Sequence, residues 1–134
     1  MTTITATRPA DRAAFLRRVL YVDAATCLCT GALLSLDSGP LAPMLGLPAA
    51  LLLYAGLSLL PIAAFMLWVA TRRDIPRPGV WLVILGNAGW VVGSIALLFA
   101  FYTSILGMAF VVAQALVVGL LAELEYTGLR KVAA

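Results

Sequence analysis

The chain has 134 residues, 63% hydrophobic and only 11% charged, which is the length of one domain and the composition of a membrane protein. A soluble domain carries about 25% charged residues, and a fold this small leaves too much surface exposed to hide so much apolar matter from water. Nine Lys and Arg against six Asp and Glu leave a net charge of +3, and the absence of histidine removes the commonest general base and metal ligand.

Histidine-ligated haem and histidine-containing zinc sites are therefore excluded, and two cysteines cannot complete a tetrahedral metal site alone. No cofactor and no metal is expected. The positive charge could suggest anionic partners, but its placement speaks for membrane orientation and not for nucleic acid.

The start, "MTTITATRPADRA", is polar as far as Pro9, and proline suits the first turn of a helix. Four apolar runs follow, at roughly 19–36, 49–71, 80–102 and 105–126. Each approaches the ~20 residues that cross a hydrocarbon core of ~30 Å as a helix. Helix is required there, because lipid offers no partner to free backbone groups. The expected fold is all-α: a single membrane domain, 1–134, built as a bundle of four transmembrane helices. The first run has basic flanks like those of a secretory leader. Asp23 interrupts it, however, and no A-x-A-like site closes it, so it reads as a retained span.

The basic residues set the orientation. Arg8, Arg12, Arg17 and Arg18 precede the first run; Arg72, Arg73 and Arg77 lie between the second and third; Arg130 and Lys131 follow the fourth. These are all nine, and with four crossings all fall on one side. Both termini are expected in the cytoplasm, and a multi-pass protein of the bacterial inner membrane is the location this implies. Trp68 and Trp81 flank the arginine loop at interfacial depth. The other long loop, "DSGPLAPMLGLP", holds Pro40, Pro43 and Pro48 among apolar residues and is expected to lie along the membrane surface.

A weak repeat aligns "DAATCLCTGALL", from Asp23, with "NAGWVVGSIALL", from Asn87, at four identical positions. It suggests two parallel hairpins, the first two spans and the last two.

The intramembrane polar residues fall on defined faces at about 100° per residue. Asp23, Thr26, Cys27 and Thr30 share one face of the first span, with Cys29 pointing away. Cysteines at i and i+2 cannot bridge each other, and buried thiols act as small hydrophobes. Gly86, Asn87, Gly89, Trp90, Gly93 and Ser94 share a face of the third span. In the fourth, Gln114, Val118 and Leu121 align with Glu125, and Glu123 points opposite. Polar groups in lipid turn towards protein, so Asp23, Thr26, Asn87, Trp90, Ser94 and Gln114 form the candidate polar site. Asp23 lies about 8 Å along the helix from Arg18, in the cytoplasmic half. It is expected to accept hydrogen bonds from Asn87 or a threonine, or to pair with an inward-reaching arginine; protonation or cation binding is the alternative. Pro61 should bend the second span and free carbonyls near Leu57.

Gly86, Gly89 and Gly93, with the looser Ala115 and Gly119 pair, are the candidate helix-packing residues, either within the bundle or between subunits. Arg17, Arg18, Glu123, Glu125 and Arg130 are expected to form ion pairs at the membrane interface.

"PRPGVWLVILGNAGWVVGSIALL" followed by "AFVVAQALVVGLLAELEYTGLRK" resembles a group of small four-helix integral membrane proteins of bacteria. The N-x-x-W of the third span and the A-E-L-x-Y-x-G-L-R of the fourth carry the likeness, which covers most of the chain. A polar-small spacing of the form A-x-A-x-Q-A also belongs to it; here it reads "FVVAQAL". No agreed activity attaches to the group, so the resemblance implies fold and location. In plan alone the chain is similar to small multidrug transporters, but Asp23 stands in "VDAAT" and not in a glutamate-centred pattern.

Two functions remain in view. The leading one is non-enzymatic: helix–helix association, as a homo-oligomer or as an accessory subunit of a membrane complex, since the loops are too small to bind a soluble substrate. The other is a small dimeric proton- or cation-coupled transporter using Asp23. An enzyme would need a second carboxylate near Asp23, and only Glu123 or Glu125 could supply it.

Overall fold

The structure, a computed structural model, describes residues 9–133. Arg8 and the polar start of the chain lie outside the described residues. Five helices follow in order: α1 (Pro9–Leu36), α2 (Ser38–Leu45), α3 (Ala49–Thr71), α4 (Arg77–Ala100) and α5 (Ile105–Ala133). Four of them are long and apolar enough to cross a membrane: Ala10–Leu36, Ala49–Thr71, Arg77–Ala100 and Ile105–Val132. The chain is thus a multi-pass membrane protein in its helix content.

The outer two long helices exceed the expected spans. The first runs from Pro9 and the last to Ala133, because a helix does not stop where its charges begin. Interfacial turns keep their backbone bonds while their side chains reach water. The helix α3 continues through Pro61, which lines the cavity described below.

The loop expected to lie along the membrane surface is the short helix α2. Its last turn closes with both Gly46 N–H and Leu47 N–H on the Ala42 carbonyl, at 3.0 and 3.2 Å. Gly46 takes φ 69°, the left-handed conformation that glycine adopts without a Cβ penalty. The segment then plugs one end of the bundle. Leu45 and Leu47 are buried with Leu34, Leu52 and Val111, and Ser104 clasps the turn, its N–H on the Leu45 carbonyl and its hydroxyl on the Met44 carbonyl. Gly107 meets the Leu45 backbone so closely that a Cβ there has no room.

At the opposite end the basic residues gather. Arg17 donates from Nη1 to the carbonyls of Ala70 and Arg72, and from Nη2 to that of Arg73, tying α1 to the end of α3. Arg12 reaches the Lys131 carbonyl at 3.3 Å, and the Lys131 ammonium lies 5.0 Å from the Phe15 ring centre. Arg72 stacks on Trp68 at 4.3 Å, and Trp81 packs edge-on against Tyr126.

Two hairpins make the bundle, α1 with α3 and α4 with α5. They join along α1 and α5, whereas α3 and α4 scarcely touch. The packing follows small residues, as expected where helices compete only against lipid contacts. A Cβ on Gly31 would lie 2.9 Å from the Gly56 carbonyl oxygen, and one on Gly56 would lie 2.7 Å from Ser35 N. The α1 and α3 backbones therefore meet directly at these two glycines. Gly128 lets α5 approach the Leu16 side chain of α1. Leu16, Leu20, Ala63, Met66, Val69 and Val80 fill the main core between them.

Candidate functional site

Three helices bring one polar residue each to a buried junction: Asp23 from α1, Asn87 from α4 and Glu125 from α5. All three are buried, and Glu125 completely. Asn87 Nδ2 donates to Asp23 Oδ2 at 2.7 Å and to Glu125 Oε2 at 3.2 Å. Cys27 Sγ stands 3.8 Å from Asp23 Oδ1, a weak thiol contact one helical turn along α1. Glu125 Oε1 has no hydrogen-bond partner, and it is the buried side-chain polar atom left so among the described residues.

Of the partners expected for Asp23, the structure supplies Asn87. Thr26 instead bonds the Asp23 main-chain carbonyl, 2.8 Å, as hydroxyls on helices commonly do. Arg12, Arg17, Arg72 and Arg130 meet carbonyls and ring faces at the end of the bundle, and none of the described arginines bonds Asp23.

A second polar chain lies deeper, on the same face of α4. Trp90 Nε1 donates to Gln114 Oε1 at 2.7 Å, Gln114 Nε2 donates to Ser94 Oγ at 2.8 Å, and Ser94 Oγ donates to the Trp90 carbonyl at 2.8 Å. It links α4 to α5 across the second hairpin, which is the interhelical bonding that Gln114 suggests. The sequence-derived set therefore divides into two clusters, Asp23 with Asn87 and Trp90 with Ser94 and Gln114, with Thr26 turned to its own helix.

The interfacial ion pairs expected of Arg17, Arg18, Glu123, Glu125 and Arg130 need correcting. Glu125 is not at an interface: α5 continues two turns beyond it, so its carboxyl reaches the junction. Arg17 binds backbone carbonyls, Arg130 sits 5.7 Å from the Tyr126 ring centre, and Arg18 and Glu123 are exposed. No ion pair involving these five forms among the described residues.

Of the two packings open to the glycine face, within the bundle or between subunits, the described residues do not show the first. A Cβ on Gly86, Gly89 or Gly93 would meet nothing within 4 Å, and on Gly119 only Val91 Cγ2 at 3.9 Å, and Ala115 is half-buried. This stripe does not pack inside the bundle. It borders two cavities instead, of about 670 and 350 Å³. The larger lies between α3 and α4, walled by Pro61, Phe65, Leu82, Val117 and other apolar side chains. Its polar lining comes from Thr26, Cys27, Thr30, Asn87, Trp90 and Gln114. Asp23 and Glu125 stand behind Asn87 and Cys27, one side chain away from the cavity.

The arrangement can hold a charge or a proton out of contact with water, and can admit an apolar molecule or helix from the side. No family model matches the chain, and no curated protein or solved structure matches it either.

Proposed function

We propose that this chain is a small inner-membrane protein of bacteria, with both termini in the cytoplasm, that works through helix–helix association. A second copy is the partner that best suits the open side of the bundle. The observation that carries this is the α4 stripe of Gly86, Gly89 and Gly93, where an added Cβ would meet no side chain or other helix within 4 Å among the described residues. Small residues in lipid let backbones approach, and none of the described residues makes use of these three in that way. Two copies insert with their arginine-bearing ends on the same side, so α4 meets α4 in parallel. That is the arrangement in which Gly89 and Gly93 face their equivalents. A different membrane subunit in the same groove is the other occupant.

Native mass measurement in mild detergent and in lipid discs tests the reading. A dimer that Gly89→Leu reduces to a monomer supports self-association. A stable wild-type monomer that co-purifies with no other membrane subunit refutes association.

The cavity supports a second reading, a dimeric proton- or cation-coupled transporter with Asp23 as coupling site and Asn87, Trp90 and Gln114 along the route. Flux into proteoliposomes that is unchanged in Asp23→Asn would remove it.

A further inference from the structure

We propose that Asp23 and Glu125 together hold a single proton, which makes the junction of α1, α4 and α5 a proton-binding site. Hydrogen-bond accounting carries the inference. The Asn87 amide has two hydrogens, and its Nδ2 bonds Asp23 Oδ2 and Glu125 Oε2. Asp23 Oδ2 and Glu125 Oε2 thus accept from one nitrogen, which holds the two carboxyls side by side. Glu125 Oε1 is fully buried and receives nothing. Two ionised carboxylates are acceptors only, so two of them held on one amide nitrogen repel unless a hydrogen neutralises one. Both carboxyls are buried, so screening is weak and the repulsion strong. One hydrogen on the pair removes the second charge, gives the unpartnered Glu125 Oε1 a role as donor, and can be shared with Asp23 as a charge-assisted O–H···O⁻ bond.

The groups facing the pair are few. Asp23 is met by Cys27 on its own helix and by Asn87, and Glu125 is met by the same Asn87 nitrogen. No Lys or Arg bonds either carboxyl among the described residues, and the buried core that includes Cys27 is apolar. No cation among these neutralises a second negative charge. A hard divalent ion is the wrong ligand here, since it takes about six oxygens and Asn87 aims a donor nitrogen at both acids. Asn87 and Cys27 also line the larger cavity, so the proton is separated from it by single side chains. The inference is independent of association and of transport, because a packed monomer and a dimer would hold the proton alike.

Infrared difference spectroscopy on the full chain in lipid discs at neutral pH tests it. The expected result is the carbonyl stretch of a protonated carboxylic acid, with the intensity of one group per chain, shifted by deuterium exchange. Glu125→Gln places an amide donor where the hydrogen stood and should remove the band. Asp23→Asn supplies the donor from the other side and should remove it too. The wild-type spectrum decides even if a variant fails to fold. A wild-type band that is missing or has the intensity of two groups, or one that survives both substitutions, overturns the proposal.

Discussion

Asn87 is the side chain through which three helices meet, and it has no substitute. Its amide is the one donor that reaches both acids. Hydrogen bonds to charged groups contribute about 1.5–3 kcal/mol each, and stranding a buried acceptor costs more than a neutral exchange. Asn87→Ala should therefore lower stability by about 3 kcal/mol, measured by reversible unfolding in mixed detergent micelles. A loss within error of zero would mean that water enters and replaces the amide. The sequence made part of this legible. A helical pitch of about 100° put Glu125 in line with Gln114, Val118 and Leu121, and the structure buries Leu121 and Glu125 while exposing Glu123. Depth was the hidden quantity. An apolar run ends at its first charges, so Glu125 looked terminal, but α5 runs on past Arg130 and Lys131. Facing can be read from periodicity within one helix, whereas depth depends on how far the helix continues.

Among the helices, the contrast is between glycines that touch and glycines that do not. Gly31 and Gly56 bring α1 and α3 into backbone contact, and neither belongs to a GxxxG pair. Such a pair marks a smooth strip on one helix, but whether anything covers it depends on the neighbour. A single glycine on each of two crossing helices leaves no pattern along the chain. Gly56→Leu would drive a side chain into Ser35 N, the Gly31 carbonyl and Leu34. Overpacking costs about 1–3 kcal/mol in cores that can adjust, and backbone atoms adjust less than side chains. We expect Gly56→Leu to lose at least this much in the same unfolding measurement, while Gly89→Leu leaves monomer stability within about 0.5 kcal/mol, the usual range for a substitution away from contacts. Equal losses at both positions would show that the α4 stripe is packed after all.

For the molecule as a whole, the four long helices and the gathering of arginines were the most legible features. Twenty apolar residues and a charge bias are local signals that need no knowledge of packing. The short helix α2 was not legible. Pro43 inside it argues against a helix, and its stability comes from Leu45 and from the Ser104 clasp sixty residues away in the chain, Met44 to Ser104. The pairing of Asp23 with Asn87 matches the alignment of the two hairpins, whose leading polar residues meet face to face. Reporter fusions at the α3–α4 turn and after Lys131 should both register as cytoplasmic. External signals from both would reverse the orientation proposed here, and an external signal from one alone would break the count of four spans.

The order of the helices along the chain sets an order of events during biosynthesis. Ribosomes deliver α1 and α3 first, and domains and hairpins take shape from the N-terminus onward. Asp23 is thus translated before Asn87, and Glu125 last of the three. Until then the acid has no companion except a thiol, so the newborn protein passes through a stage in which its first hairpin is complete and its most polar residue is still waiting for company.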